Sequence, residues 1–433
     1  MNGVKIIVKY ILVIAISFVW LTSATAQESG SENGIISVEE AIDVALRSHP
    51  SLKAAEWKAI RARESARQAG SWMDPTITFG LVNVPYESYA FNQEPMTGKK
   101  ISLMQQIPFP GKLGAKKAAA ISEAEAVSEE IPELEGYIIK RVKESYYDIF
   151  AIDWSVKITN ESLELFSRFV EIAETRYSVG RGIQQDVLKA QVERSKFEER
   201  LINLQFKREK SVAKLNALMN RDFESSIKVI ENLTPTEFLY TERELTRMAE
   251  EQRPALKAGR FRIVSKERRA DYSRKLKLPD FGIGVAYTQR DELVGANMPG
   301  ADFISMTVGF SLPIKPGNRQ SSKVEQSKAE TRMERELYNN FLNNVKQDIK
   351  IHYAEMEKGK SLIALYTNQL LPQAEQSFNS ALSGYQVDKV DFITLLNNEV
   401  TLFNYRIKYY RILSDYEKSI AAIEAVVGFR INE

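Results

Sequence analysis

The chain has no cysteine and only two histidines among its 433 residues. The first absence excludes disulfides, thiolate metal sites, cysteine nucleophiles and a lipidated N-terminal cysteine. The second leaves His49 and His352 far apart in sequence, each a structural or surface residue rather than half of a site. A Gly-rich phosphate loop, a nucleophile elbow and a His-rich metal motif are also missing. Acids are plentiful, but they are spread along helical segments at solvated positions, so neither an enzyme nor a cofactor is expected. There is no charge of one sign to spare: 59 basic residues, two of them Lys5 and Lys9 near the start, face 57 acidic ones. That balance gives no reason to expect nucleic acid as a partner.

Long hydrophobic runs are scarce too. Residues 10–21 form an uncharged stretch of about a dozen residues, short of the ~20 that a spanning helix needs. Preceded by Lys5 and Lys9 and followed by Ala24-Thr25-Ala26, it reads as a Sec signal peptide over residues 1–26. The mature chain is therefore expected to have no transmembrane helix.

What the chain does have is an internal repeat. His49-Pro50-Ser51-Leu52-Lys53-Ala54 returns as Arg253-Pro254-Ala255-Leu256-Lys257-Ala258. Gln106-Ile107-Pro108-Phe109-Pro110-Gly111-Lys112 returns as Ser311-Leu312-Pro313-Ile314-Lys315-Pro316-Gly317, and Arg176-Tyr177-Ser178-Val179-Gly180 as Gly384-Tyr385-Gln386-Val387-Asp388. Three landmarks in one order at nearly one offset, 204 to 208 residues, mark a duplicated unit. The expected division is repeat 1 over 27–220, a linker over 221–250 and repeat 2 over 251–433. Each repeat should hold a helix, a β-hairpin (about 75–109 and about 279–312) and two long helices joined by a tip turn, near 180 and near 388. Ser37 with Glu40 forms a capping box at the first helix, and Pro50 marks a bend or helix junction. Phe166, Val170, Ala173 and Tyr177 keep the spacing of a coiled-coil seam. The stretch 111–177 would be on the order of 100 Å long if continuously helical.

The strands alternate. Phe281, Ile283, Val285 and Tyr287 oppose Gly282, Gly284, Ala286 and Thr288; Ile304, Met306, Val308 and Phe310 oppose Ser305, Thr307, Gly309 and Ser311. In the first repeat Ile77, Phe79 and Leu81 oppose Thr76, Thr78 and Gly80, while Ile101, Leu103 and Ile107 oppose Lys100, Ser102 and Gln106. Alternation alone fits a soluble sheet with one wet face as well as a membrane barrel with a wet lumen. Strands of roughly nine or ten residues match a tilted bilayer crossing. The polar loops 85–99 and 289–302, and the aromatics Trp72, Tyr86, Tyr89 and Phe91 near the first hairpin, also point to the barrel. Four strands cannot close one, so several copies must contribute: two, three or four copies give eight, twelve or sixteen strands. Met73, Met96, Met104, Met298 and Met306 lie near the hairpins and read as packing residues rather than soft metal ligands.

This order of elements resembles the TolC family of outer-membrane efflux proteins over nearly all of the mature chain. The most specific match runs from Arg176-Tyr177-Ser178-Val179-Gly180 through Asp186-Val187-Leu188-Lys189-Ala190-Gln191. The second copy matches less well: Asp388 stands where the first has Gly180, and Asn397-Asn398-Glu399 replaces Lys189-Ala190-Gln191. The resemblance implies a mainly α fold with a transmembrane β-barrel, a homotrimer with twelve strands in one barrel, and a long α-helical barrel crossing the periplasm. It implies outer-membrane lipid around the barrel, a periplasmic adaptor, and an inner-membrane transporter, an RND-type pump being one candidate. The Gln106 to Lys112 segment looks like the junction of members that serve heavy-metal pumps, although prolines there also simply end the strand ladder.

A passive duct needs a gate and a dock. The gate residues expected at the periplasmic tip are Asp186, Asp388 and Asp391, with Arg181 as a partner; threefold symmetry would turn each acid into a ring. The plain alternative is solvated turn aspartates. Adaptor docking is expected at the tip turns, through Gly180, Gly182, Tyr177 and Tyr385, where the glycines also serve to end helices. The function expected is the outer-membrane exit duct of a tripartite efflux system. The alternatives are the exit channel of type I protein secretion and a periplasmic coiled-coil scaffold without a channel.

Overall fold

The computed structural model describes residues 35–295, 300–311 and 319–430. The leader at 1–26, Met298 and positions 312–317 of the second landmark lie outside the described residues.

The elements run α1 (Val38–Ser48), α2 (Pro50–Ala69), β1 (Thr76–Val82), β2 (Gly98–Ile107), α3 (Lys112–Ser128), α4 (Glu130–Ser178) and α5 (Gln184–Leu218). The same sequence of types then recurs as α6 (Glu242–Gln252), α7 (Pro254–Lys275), β3 (Asp280–Gln289), β4 (Phe303–Ser311), α8 (Arg319–Leu365), α9 (Leu371–Gln386) and α10 (Phe392–Val427). Local chemistry explains the starts. Ser37 and Glu40 exchange backbone and side-chain hydrogen bonds at the head of α1, and Thr241 and Glu244 do the same at α6. Pro50 and Pro254 hold the preceding His49 and Arg253 in extended backbone, so one helix stops and the next starts at the proline.

Length comes from two interrupted rods. In the first, α3 and α4 are separated only by Glu129, and Pro132 is the third residue of α4, where its missing N–H would have had no helical partner. In the second, α8 passes through a π-turn at Tyr366–Leu370 into α9, and Pro372 lies in the first turn of α9. A proline cannot donate to the turn before it, and the widened ladder accommodates that loss. At ~1.5 Å per residue each rod is on the order of 100 Å.

Three apolar clusters hold the helices together. One joins α1, α4 and the end of α5 to the segment after it, where Tyr146 donates to the Ile36 carbonyl at 3.0 Å and accepts from the Ile230 N–H at 3.2 Å. A second joins α4, α5, α9 and α10 around Phe166, Phe169, Phe197 and Phe403. The third joins α6, α8 and α10, and there the Glu417 carboxylate accepts from the Thr236 N–H and hydroxyl at 2.7 and 2.8 Å. The expected seam is buried at Phe166, Val170 and Ala173, whereas Tyr177 is 49% exposed. It lies in the last turn of α4, and at the tip it is Tyr385 that is buried instead.

The sheet meets the helices at one polar knot. Lys112, 4% exposed, donates to the Leu278 carbonyl at 2.7 Å and to the Asp280 carboxylate at 2.8 Å, and the same Asp280 oxygen accepts from the Phe109 N–H at 2.8 Å. The first β-to-α junction is thereby tied to the start of the second hairpin.

Candidate functional site

Two regions carry the functional geometry: the sheet and the helical tip. The four strands form one antiparallel sheet in the order β1-β2-β3-β4. Its register sets Ile77, Leu103, Val285 and Met306 in one row and Phe79, Ile101, Tyr287 and Ile304 in another. Strand alternation puts both rows on the same face, and all eight side chains are exposed. The other face carries rows such as Thr78, Ser102, Ala286 and Ser305, small and polar, with Ala286 only 6% exposed. One face is thus built for lipid and the other for water. None of the three apolar clusters among the described residues includes the greasy face. β1 and β4 each keep one unpaired edge.

β1 has seven residues, not the nine or ten expected. It stops at Val82 because Asn83 takes a left-handed backbone (φ 53°) and locks the turn. Its side-chain amide donates to the Met96 carbonyl at 3.1 Å, and its own carbonyl accepts from the Thr97 hydroxyl at 2.8 Å. The loops beyond the hairpins are joined to each other. The Val294 N–H donates to the Asn92 carbonyl at 3.1 Å, Lys99 pairs with Asp291 at 3.3 Å and lies over the Phe91 ring, and the Arg290 guanidinium stacks 3.8 Å from Phe303. Trp72, Tyr86 and Tyr89 are exposed, as residues at a membrane interface would be.

At the tip the two turns have one design. After α4, the Arg181 N–H reaches the Arg176 carbonyl at 2.8 Å and the Gly180 N–H reaches Tyr177 at 3.0 Å. After α9, Lys389 reaches Gly384 at 2.9 Å and Asp388 reaches Tyr385 at 3.2 Å. Both are Schellman endings, which need a left-handed residue just past the helix. Gly180 (φ 73°) fills that place in one turn and Asp388 (φ 58°) in the other. An L-residue there costs roughly 1 kcal/mol over glycine. Within one copy Asp388 pairs with Arg176, at 2.5 Å. Arg176 points across to the second repeat and stacks 4.5 Å from the Tyr385 ring, whereas Arg181 sits one residue past the turn with its side chain exposed.

The remaining tip acids differ in setting. Asp391 caps α10, accepting from the Thr394 N–H at 2.7 Å, and that backbone bond holds its carboxyl below the usual range. Asp186, third residue of α5, is pushed up by burial, against a backbone bond from Ile183, with the Asp391 charge adding to the rise. The two acids are therefore within electrostatic reach of each other. Of the docking candidates, Gly180 has open space around a built Cβ, but at Gly182 a Cβ would lie 3.2 Å from the Arg176 Cβ and 3.3 Å from the Tyr177 nitrogen. Tyr177 is half exposed, and Tyr385 is buried under Arg176.

Two functional candidates had not been singled out from the sequence. Arg176 stood in the tip motif, but its pairing spans the repeats. Glu399 is buried beneath α4, accepts from the Ser162 hydroxyl at 3.1 Å, and is pushed up by burial to about 7. Its only sequence signal is that it stands where the first repeat has Gln191.

Comparison with known proteins is consistent with this geometry. A family model described as "Outer membrane efflux protein" matches residues 41–221 and 245–428. The cobalt-zinc-cadmium resistance protein CzcC of Cupriavidus metallidurans is 21% identical over 333 residues, covering 75% of this chain and 76% of that one. Among solved structures, the outer membrane protein VceC of Vibrio cholerae superposes with a TM-score of 0.77 at 19% identity, covering 90% of this chain and 96% of the other. The MtrE outer membrane channel of Neisseria gonorrhoeae, in its open state, gives 0.74 at 14% identity, covering 90% and 89%.

Proposed function

Because this chain belongs to the outer membrane efflux protein family, we propose that three copies assemble into one exit duct, a twelve-stranded barrel in the outer membrane continued by an α-helical barrel through the periplasm. The observation that carries this reading is the open sheet. Its apolar face is bare and its two edges are unpaired, a combination that neither water nor lipid tolerates in a single copy. Pairing β4 of one copy with β1 of the next satisfies both edges and makes the greasy face the outer wall. The helices support it with a second unpartnered stripe: Leu188, Val192, Ile202 and Phe206 are exposed along one side of α5 at coiled-coil spacing. A scaffold without a channel offers no cover for either surface.

Residues 27–220 and 251–433 act as the two repeats of each wall segment, joined by the linker at 221–250. The tip acids Asp186, Asp388 and Asp391 form charged rings at the periplasmic mouth, and Arg176 latches the two tip turns of each copy together. The adaptor docks on the turns at Gly180 and Gly182, and through it the duct receives cargo from an inner-membrane pump. Tryptophan at Gly180, where space is open, should abolish adaptor crosslinking while trimers persist; crosslinking that survives removes the docking role.

The duct itself is tested by adding the purified protein to planar lipid bilayers. Discrete, long-lived conductance steps are expected, and a protein that stays soluble without detergent and conducts nothing would contradict the reading. The CzcC relative suggests heavy-metal cations as the first cargo to try. Loss of the chain should then raise sensitivity to cobalt, zinc or cadmium, and unchanged sensitivity would remove that cargo.

A further inference from the structure

We propose that Lys100 forms a ring of three ammonium groups inside the outer mouth of the barrel and makes that end of the duct anion-preferring. The inference rests on the three-copy barrel proposed above.

Lys100 sits in the row with Gly80, Thr288 and Phe303, and two-residue alternation from Ser102 places it on the water-facing side. Its adjacent neighbours on that face, Gly80, Thr288 and Ser102, are small, and its side chain is exposed. Among the described strand residues of this face only Lys100 and Asp280 are charged. Asp280 lies at the other end of the sheet and is already paired with Lys112. Lys100 has no ion pair among the described residues. Lys99, one residue earlier, faces the opposite way and is compensated by Asp291. The acids Glu87, Glu94, Glu292 and Asp302 belong to the loops beyond the strand ends, and Asp302 already accepts from the Arg290 N–H at 3.1 Å and from the Tyr287 hydroxyl.

Dimensions decide whether three lysines can matter. Twelve strands spaced ~4.8 Å apart and tilted by ~40° close at a backbone radius of about 12 Å. An extended lysine reaches about halfway to the axis. The ammonium groups then lie within one screening length of the axis at 0.1 M salt, ~10 Å, but not at 1 M, ~3 Å. The ring should therefore act across the whole lumen at low salt and fade at high salt. With acids at the periplasmic tip and lysines at the outer end, the two ends of the duct carry opposite fixed charge.

The test is the reversal potential of single channels under a KCl gradient, for wild type, Lys100→Gln, Lys100→Glu and the control Lys99→Gln. Both Lys100 variants should move the potential toward cation preference at about 0.1 M. The K-to-Cl permeability ratio should rise roughly twofold or more in Lys100→Glu, and the effect should collapse near 1 M. Lys99→Gln should leave it in place. Normal conductance with an unmoved potential in both Lys100 variants overturns the Lys100 ring alone. Silence from the wild-type protein overturns the duct reading and this inference with it.

Discussion

Asp388 occupies a left-handed position that its repeat partner fills with glycine, and it stays there while paired with Arg176. Replacing it with glycine would relieve the backbone and cut the pair; Arg176→Ala would cut the pair and leave the strain. If the latch holds the periplasmic mouth narrow, both variants should raise single-channel conductance, with Asp388→Gly forming the more stable trimer. Equal conductance in all three proteins would sink the latch. Glu399 gives a pH-dependent case. Burial raises its carboxyl from the usual 4.5 to about 7, so the folded state holds a proton that the unfolded state releases first. Its contribution is therefore full below about pH 4.5 and is lost as pH rises through 7, by up to about 3 kcal/mol per chain. Glu399→Gln, which restores the residue of the first repeat, should leave thermal unfolding in detergent nearly unchanged at pH 4.5 and raise the melting temperature at pH 8. A variant no more stable at pH 8 would contradict this. At this scale the sequence was only partly legible. The tip motif and its acids stood out, but the Arg176 pair joins residues 212 positions apart, and no local pattern encodes such a contact.

The strands were the most legible elements, because a period of two separates their faces without any tertiary knowledge. Val285 and Ala286 are neighbours on opposite faces of β3. An arginine at Val285 should cost about 2–4 kcal/mol near the bilayer midplane and deplete the protein from the outer-membrane fraction, while Ala286→Ser should not. Fractionation that treats the two alike would remove the assignment of faces. The helices were legible in existence and length but not in their interruptions. The break at Glu129 and the π-turn at Tyr366–Leu370 depend on packing along the rods. The short β1 was missed for a related reason: Asn83 ends it through hydrogen bonds to Met96 and Thr97 across the loop.

At the scale of the molecule, strand counting gave the need for several copies, while the choice of three came from resemblance. The structure adds a geometric reason for closure. Within one chain β2 of the first repeat pairs with β3 of the second, so the repeat's own logic pairs β4 with β1 of the next copy. Carrying the β2–β3 register across the repeat sets Gly309 opposite Thr78 of the neighbouring copy, and Thr307 opposite Gly80. In one chain β1 and β4 are opposite edges of the sheet, so these pairs can meet only between copies. The absence of native cysteine makes the test clean. Cysteines introduced as Thr78→Cys with Gly309→Cys, or as Gly80→Cys with Thr307→Cys, should oxidise in the outer membrane to a covalent ladder that ends at three chains on a non-reducing gel. No crosslink from either pair, or a ladder continuing past three, would contradict the closed three-copy barrel.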